Sequence, residues 1–198
     1  MNTFIKVGQD PPDMTTLRKW NYDCYAHRVV WLDVWRKKGE QGNHNSQEVA
    51  VIQKENRKFH DWAKQNLHPD KQVWTVAVLS FYRKQEKLLR EACRKLSNNY
   101  RAYRNFYLGG NKQKHDVHLE VCTVDRFQGH EADLVFLSFV KNHATVFLGS
   151  PNRLNVAVTR ARYQLVLVGN HQRLSNDRYT ELQTLLKMMP ITNIWSDS

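Results

Sequence analysis

The sequence predicts a three-layer α/β fold, in which helices cover both faces of a mostly parallel, five-stranded sheet. Short apolar runs rich in Val, Ile and Leu alternate with helical segments along the chain, and this order is typical of parallel strands joined by right-handed crossovers. The chain has 198 residues, of which 41% are hydrophobic and 11% aromatic. A chain of this length and composition can bury one hydrophobic core, so we expect one compact domain.

The predicted strands are short, continuous apolar runs that contain β-branched residues, as buried strands do. They span residues 29–34, 73–80, 119–124, 134–140 and 163–169. Between the first two strands, Asn45 followed by Glu48 resembles a capping box, and the apolar residues after it mark one face of a helix running towards Asn66. Further helices are predicted at 86–96, at 152–161 and at 179–189.

The composition divides the chain into three segments. Residues 1–28 contain Pro11-Pro12 and show no clear period, which predicts a linker or an irregular N-terminal extension. Residues 29–175 contain the alternating strands and helices and form the predicted main domain. Residues 176–198 are predicted to be a C-terminal helix and tail.

The charge balance indicates a polyanionic partner. Lys and Arg number 30 against 19 acidic residues, which gives a net charge of +11, and nucleic acid is the obvious candidate. No apolar run reaches the roughly 20 residues that a membrane span needs, and the N-terminal segment lacks a signal-peptide core. We therefore expect a soluble intracellular protein without a membrane partner.

Two segments carry a specific pattern: residues 123–131 read TVDRFQGHE, and residues 153–162 read RLNVAVTRAR. They resemble the fifth and sixth motifs of superfamily 1 helicases, in the 1B branch that contains the RNA helicase of nonsense-mediated decay. That family writes these motifs as TxDxFQGxE and RLNVAxTRAR. Either segment alone is better explained as a turn or as solvated helix charges, but both together favour the helicase. The resemblance implies the second, C-terminal RecA-like domain, with a P-loop NTPase-type sheet.

The sixth motif implies a catalytic arginine. ATP hydrolysis requires positive charge on the γ-phosphate, and a guanidinium from a neighbouring domain commonly supplies it. The family pattern assigns this arginine finger to Arg160. On a helix, Arg160 and Arg162 would point about 200° apart, so only one of them could face the cleft.

The fifth motif implies contacts to both ligands. Gln128, Gly129 and Glu131 would contact the nucleotide, with Glu131 accepting a hydrogen bond from a ribose hydroxyl or orienting the finger. Thr123 and Asp125 are implied contacts to a phosphate or sugar of the nucleic acid. The predicted strands on either side place this loop at the carboxyl end of one strand, where open α/β sheets bind their ligands.

The junction after the second predicted strand supplies a third similarity. Residues 81–85 read FYRKQ, where the family's fourth motif usually reads Pro-Tyr-Arg-x-Gln, so Phe81 replaces the proline. The resemblance implies that Tyr82 stacks on the nucleotide and that Arg83 adds a second cation at the terminal phosphate. A packed tyrosine and a solvated arginine explain the same residues nearly as well.

Residues 98–118 mix basic residues with four aromatic ones, Tyr100, Tyr103, Phe106 and Tyr107. Single-strand binding sites use this combination, because rings stack on bases while cations follow the phosphates. Solvated charges together with core aromatics produce the same pattern, and we favour that second interpretation.

A complete motor also needs a phosphate-binding loop, and this sequence has none. None of its eight glycines is followed by Lys, and no acidic pair that would hold magnesium is recognisable. ATP and Mg²⁺ would then be held mainly by a first RecA-like domain absent from this chain, and the isolated chain should hydrolyse little or no ATP. The resemblance implies single-stranded RNA or DNA as partner. The alternative is a catalytically silent nucleic-acid-binding or protein-docking module with a helicase fold, and no metal ligands are predicted.

Overall fold

The structure is a computed structural model that describes residues 22–25, 27–70, 72–109, 116–141, 159–175 and 191–193. Seven strands within these ranges form a single sheet. They are β1 (Val29–Asp33), β2 (Trp74–Ser80), β3 (Asn105–Leu108), β4 (Val117–Thr123), β5 (Ala132–Ser138), β6 (Ala161–Gly169) and β7 (Ile191–Asn193). Their order across the sheet is β3-β4-β2-β5-β6-β1-β7. Neighbouring strands are parallel except β3 and β4, which are antiparallel.

The predicted mostly parallel α/β sheet is confirmed, but the predicted count of five strands is wrong. The five predicted runs correspond to β1, β2, β4, β5 and β6. The two additional strands are short and lie at opposite ends of the strand order. In β3 only Phe106 and Leu108 are buried, so it lacks a continuous apolar run. The three residues of β7 fall within the predicted C-terminal tail and pair with β1.

Helices lie on both faces of the sheet. α1 (Ser46–Ala63) and α2 (Arg83–Ser97) cover one face, and the 3₁₀ helix η1 (Val124–Phe127) and α3 (His171–Ser175) contribute to the other. The predicted start of α1 is confirmed, because the Asn45 side chain accepts hydrogen bonds from the amides of Gln47 and Glu48 at 3.1 and 3.2 Å. No described helix is long and apolar enough to cross a membrane.

Two hydrophobic cores result from the alternation of side chains along the central strands. In β2, Val76 and Val78 join the core beneath α1 and α2, whereas Ala77 and Leu79 join the core on the opposite face. All seven side chains of β5 are buried. A central strand buried on both faces is expected in a parallel sheet covered by helices on each side.

Part of the predicted N-terminal extension packs on the main domain. The rings of Tyr22 and Phe59 lie 5.1 Å apart, and the Tyr25 hydroxyl donates a 2.5 Å hydrogen bond to Glu55 on α1. The domain boundary at residue 28 stays a prediction. Residues 1–21, most of the helix predicted at 152–161 and the helix predicted at 179–189 lie outside the described residues.

The parallel strands give the sheet two distinct edges. Ser80, Thr123 and Ser138 are paired at the ends of β2, β4 and β5, and we call this side the carboxyl edge. At the opposite side, the amino edge, β5 and β6 begin at the paired residues Ala132 and Ala161. The segments before and after these strands place the predicted site residues at one edge or the other.

Candidate functional site

Arg160 and Glu131 occupy neighbouring positions at the amino edge. Arg160 directly precedes β6, and its carbonyl oxygen accepts a 3.0 Å hydrogen bond from the amide of Ala132, the first residue of β5. Glu131 is the residue before Ala132 and is exposed. The structure thus brings together two residues that were predicted from separate motifs.

Arg162 has acidic partners of its own at this edge. Its Nε lies 3.4 Å from Glu131 Oε2, and its Nη1 lies 3.8 Å from Asp133 Oδ1. Asp133 is buried, and its other oxygen accepts hydrogen bonds from the Thr75 amide and hydroxyl at 2.8 and 2.7 Å. The Arg162 and Glu131 side chains are about half exposed, so their ion pair contributes at most about 1 kcal/mol to stability. Its main effect is to restrict the orientation of Glu131.

The prediction that Arg160 and Arg162 lie on one helix is wrong. Thr159 belongs to a turn, Arg160 to no regular element, and Arg162 is the second residue of β6. The 200° separation expected on a helix therefore does not apply.

The connection between β4 and β5 starts at the carboxyl end of β4, as predicted, and ends at the amino edge, where β5 begins. η1 begins at the carboxyl edge, but β5 is parallel to β2, so the chain must return along the sheet before β5 starts. Phe127 is 1% exposed and anchors this return in the second core. Gln128, Gly129 and Glu131 remain exposed. Gly129 has a φ of +86° and open space where a Cβ would lie, so its backbone conformation, not crowding, favours glycine.

A cavity of about 310 Å³ lies beside this loop. Its lining includes Glu120, His130 and Glu131 together with the apolar residues Ala77 and Phe127. His130 Nδ1 lies 3.5 Å from Glu120 Oε2. The volume is at the lower end of the range for small-molecule pockets, which begins at roughly 300 Å³.

Tyr82, Arg83 and Lys141 lie at the carboxyl edge. Tyr82 is the N-cap residue of α2, and Arg83 is its exposed first residue. Lys141 follows β5, with its Nζ 5.7 Å from the centre of the Tyr82 ring and 3.1 Å from the Gly42 carbonyl oxygen. Burial and the nearby Arg36 guanidinium lower the pKa of Lys141. A ring and several cations therefore share this edge.

The structure does not bring Arg83 and Arg160 together. Arg83 follows β2 at the carboxyl edge, whereas Arg160 precedes β6 at the amino edge. The seven residues of β2 separate these edges by roughly 20 Å, at about 3.3 Å per residue. That both guanidinium groups contact the same terminal phosphate, and that Tyr82 contacts the nucleotide, stay predictions.

Thr123 and Asp125 lie at the carboxyl edge, where β4 passes into η1. Thr123 is 7% exposed, so its side chain offers little surface to a ligand. Asp125 and its neighbour Arg126 are exposed. The predicted contact of Thr123 and Asp125 with nucleic acid stays a prediction, and Arg126 is an additional cation at this position.

A buried polar network supports the carboxyl edge. The Glu48 carboxylate accepts hydrogen bonds from the Ser138 hydroxyl at 2.5 Å and from the Asn45 amide group at 2.8 Å. The Gln85 side-chain nitrogen donates to Ser138 Oγ at 2.9 Å and to the Asn45 carbonyl oxygen at 3.1 Å. The Gln85 side-chain oxygen accepts from the Asn45 backbone amide at 2.9 Å. Burial raises the pKa of Glu48 to about 8, although these hydrogen bonds lower it. The sequence indicated the helix start at Asn45 and Glu48, but not their partners on β5 and α2.

The same carboxylate holds a strained residue. Val140 has a φ of +71°, and the Lys141 amide donates to the Phe139 carbonyl at 2.8 Å, which closes a γ-turn around Val140. For a β-branched residue this conformation is an outlier that costs about 1–3 kcal/mol. Both oxygens of Glu48 lie 3.0 Å from the Val140 amide nitrogen. Glu48 therefore fixes the direction in which Lys141 leaves the sheet.

The aromatic residues between α2 and β4 are mostly exposed. Tyr100, Tyr103 and Tyr107 have exposed fractions of 66%, 59% and 47%, whereas Phe106 is fully buried. The favoured interpretation of this stretch as core aromatics with solvated charges is therefore wrong for the three tyrosines. Strand alternation explains why Tyr107 faces solvent while its neighbour Phe106 faces the core.

The sheet and the helices on its two faces define a mostly parallel α/β domain. A family model described as an AAA domain matches residues 5–172, which is most of the chain. The chain belongs to this family, as the C-terminal RecA-like domain of a superfamily 1 helicase of the nonsense-mediated-decay type.

Three relatives illustrate this assignment. An uncharacterised ATP-dependent helicase of Methanocaldococcus jannaschii is 44% identical over 71 residues, which cover 35% of this chain and 11% of that protein. A regulator of nonsense transcripts 1 homologue of Arabidopsis thaliana is 46% identical over 81 residues, or 38% of this chain and 6% of that protein. A DNA replication ATP-dependent helicase/nuclease of Gallus gallus is 30% identical over 141 residues, or 63% and 12%. The chain thus spans at most 12% of the length of these relatives.

Proposed function

We propose that this chain is the second motor domain of an ATP-dependent helicase, with nucleotide contacts at the amino edge and single-strand contacts at the carboxyl edge. The observation that carries the proposal is the hydrogen bond between Ala132 and Arg160, which joins the arginine to the exposed loop of Gln128, Gly129 and Glu131. The ATP-dependent helicases among the relatives support the nucleotide as ligand.

The amino edge fits a ribose and a phosphate group. Arg160 is the arginine finger, whose guanidinium donates hydrogen bonds to the terminal phosphate as negative charge develops there. Glu131 accepts a hydrogen bond from a ribose hydroxyl, and its ion pair with Arg162 keeps the carboxylate in place. Gly129 lets the backbone of the loop approach the nucleotide closely, since no side chain projects from it. Bound ATP supplies the phosphoanhydride bond whose hydrolysis drives the motor.

A first RecA-like domain completes the nucleotide site in this proposal. That domain holds Mg²⁺ and the remaining phosphate oxygens of ATP, and this chain contributes the finger from the opposite side. The relatives support such a partner because they are much longer than this chain. It follows that the 198-residue chain alone should show no steady ATP turnover. Measurable turnover by the purified chain would contradict the proposal that a separate domain holds Mg²⁺ and most of the ATP phosphates.

The carboxyl edge binds one strand of RNA or DNA. We reassign Tyr82 and Arg83 from the nucleotide to this strand, because they lie beside Thr123 and Asp125 rather than beside Arg160. The Tyr82 ring, with the Lys141 ammonium 5.7 Å from its centre, offers a stacking surface next to a cation. Closure of the two domains around ATP would then move the carboxyl edge along the strand.

The test is ATP hydrolysis by the longest native product that contains this segment, with and without single-stranded RNA or DNA. Arg160→Ala should reduce stimulated turnover by about a thousandfold or more, the scale expected for a lost arginine finger. Arg173→Ala is the matched control, because Arg173 is an exposed arginine on α3 at the carboxyl end of β6. Equal turnover in the Arg160→Ala and Arg173→Ala variants would contradict the finger assignment.

In the same assay, Arg83→Ala distinguishes a contact with the strand from a contact with the nucleotide. Loss of a strand contact should raise the oligonucleotide concentration needed for half-maximal stimulation, while the KM for ATP stays close to that of the wild type. A large rise in the KM for ATP would show that Arg83 contacts the nucleotide instead of the strand. No turnover in the wild-type product under any condition would favour a silent nucleic-acid-binding module with a helicase fold.

A further inference from the structure

Two arginines near the outer end of the carboxyl edge have buried nitrogen atoms without hydrogen-bond partners. These atoms are Nε and Nη1 of Arg90 on α2 and Nε of Arg104 before β3. Arg90 Nε lies 3.9 Å from Glu86 Oε1, which is too long for a hydrogen bond, and that oxygen is also buried and unpaired. Buried donors in folded proteins are nearly always satisfied, so these nitrogens, which have no acceptor within the described part of the chain, indicate a ligand contact.

An exposed ring accompanies these unpaired donors. Tyr103 is 59% exposed, and the Arg90 guanidinium carbon lies 4.3 Å from the centre of its ring. Hydrogen bonding to Arg90, its charge and a further contact from Arg126 lower the pKa of the Tyr103 hydroxyl. An exposed tyrosine ring that packs against the Arg90 guanidinium is restricted in orientation, which reduces the entropy lost when a base stacks on the ring.

Arg90, Tyr103, Arg104 and Arg126 lie at the β3 end of the carboxyl edge. The Arg104 carbonyl accepts a 3.0 Å hydrogen bond from the Val121 amide, near the end of β4, and Arg126 follows Asp125 in η1. Neighbouring strands lie about 4.8 Å apart. The strands β5, β2, β4 and β3 lie side by side in this order. The segments that follow β5, β2 and β4 and the segment that precedes β3 therefore form a row along the carboxyl edge. The row begins at Lys141 and ends at Tyr103.

We propose that Arg90, Tyr103, Arg104 and Arg126 form a binding site for one nucleotide unit of a single strand, beyond the motif residues. The base stacks on the Tyr103 ring, and the adjoining phosphate accepts hydrogen bonds from the exposed Arg126 guanidinium and, once their side chains turn towards solvent, from Arg90 and Arg104. This inference rests on the proposed passage of a strand along the carboxyl edge. It adds a residue cluster that none of the three motifs contains.

The chemistry favours a nucleotide over a carboxylate ligand. Arg90 and Arg126 both act on Tyr103, and Glu86 is the carboxylate that acts on the same ring, so the surroundings of the ring carry more positive than negative charge. Guanidinium groups match phosphate oxygens in geometry, and base stacking on an aromatic ring does not depend on the identity of the base. An acidic peptide would use the cations but would leave the exposed ring without a partner.

Binding of a fluorescein-labelled oligo(dT) or oligo(U) of about 12 nucleotides to the 198-residue chain tests the site by fluorescence anisotropy. Tyr103→Ala should weaken binding by about tenfold, the size of one lost base stack, and Tyr103→Phe should stay within about twofold because it keeps the ring. Tyr100→Ala is the matched control, since Tyr100 is an exposed tyrosine of the same segment with no cation over its ring among the described residues. Its removal should leave binding unchanged.

The phosphate contact has a separate readout in the salt dependence. Arg126→Gln changes an exposed residue, and it should reduce the slope of log affinity against log salt by about 0.7, the value for one phosphate contact on a single strand. Irradiation of a 5-iodouracil oligonucleotide bound to the chain should place a crosslink on Tyr103, located by mass spectrometry. Thermal unfolding midpoints confirm that each variant remains folded.

Three outcomes would overturn this inference. Wild-type affinity in Tyr103→Ala, with crosslinks elsewhere, would place the strand on another surface. Absence of oligonucleotide binding by the wild type at about 50 mM salt would exclude the site, while the Arg160→Ala hydrolysis test would still decide the motor function. Binding of poly-glutamate with the same dependence on Arg126, but no binding of oligonucleotide, would identify an acidic protein segment as the partner.

Discussion

The two edges of the sheet are built in different ways. At the amino edge, Gln128, Gly129 and Glu131 are exposed and are held mainly by the buried Phe127 and by the ion pair with Arg162. At the carboxyl edge, a buried network centred on Glu48 joins α1, α2 and β5 through side-chain hydrogen bonds. The comparison teaches that the Glu131 and Arg160 side chains at the amino edge contribute little to stability, whereas the buried groups that support the carboxyl edge contribute much more.

The largest expected effect tests the amino edge. Arg160→Ala should abolish nearly all stimulated turnover, by about a thousandfold. It should cost much less stability than the loss of a buried network group, because the hydrogen bond from Ala132 goes to the Arg160 backbone and is kept in the alanine variant. Urea denaturation of the 198-residue chain measures the stability. A large destabilisation would show that Arg160 supports the fold rather than the chemistry.

A smaller but still large effect tests the carboxyl edge. Glu48→Ala leaves the donors of Ser138, Asn45 and Val140 buried without an acceptor, so the free energy of unfolding should fall by about 2–4 kcal/mol. Glu131→Ala removes an exposed carboxylate and should stay within about 0.5 kcal/mol. Similar losses in the two variants would remove the distinction between the edges.

The pH dependence of the free energy of unfolding tests the buried network of the carboxyl edge separately from the exposed amino edge. Burial raises the pKa of Glu48 from 4.5 to about 8. Between these two values the folded protein holds a proton that the unfolded chain has released, so stability falls as pH rises through this window and levels off above it. The slope contributed by Glu48 is at most about 1.4 kcal/mol per pH unit.

Glu48→Gln isolates this slope, because glutamine does not titrate and the other ionisable groups are common to both proteins. The free energy of unfolding of the wild type should fall relative to that of Glu48→Gln as pH rises from 5 towards 8. Parallel stability curves for the two proteins would mean that Glu48 stays ionised throughout.

The smallest expected effect compares two glycines. Gly129 and Gly39 have φ values of +86° and +84°, and neither has an atom within 4 Å of a built Cβ. Changing either one to alanine should therefore destabilise the chain by a similar amount, about 1 kcal/mol, through left-handed backbone strain. Only Gly129→Ala should also raise the KM for ATP, in the longest native product. An equal KM in both variants would remove Gly129 from the nucleotide site.

The sequence by itself determined the local structure and the identity of the motif residues. The five apolar runs became β1, β2, β4, β5 and β6, and the Asn45 cap began α1 as predicted, because burial periodicity and capping depend on residues close together in the chain. The resemblance carried by residues 123–131 and 153–162 is enough by itself to indicate the helicase family.

Only the tertiary structure decided which edge each residue occupies. The motif loop at 128–131 reached the amino edge because β5 pairs in parallel with β2, and Arg83 remained at the other edge for the same reason. Likewise, Glu48 meets Ser138 and Val140, and Arg90 meets Tyr103, through contacts between separate elements of the fold. Strand direction, register and crossover length are set by long-range packing, which no local pattern of residues encodes.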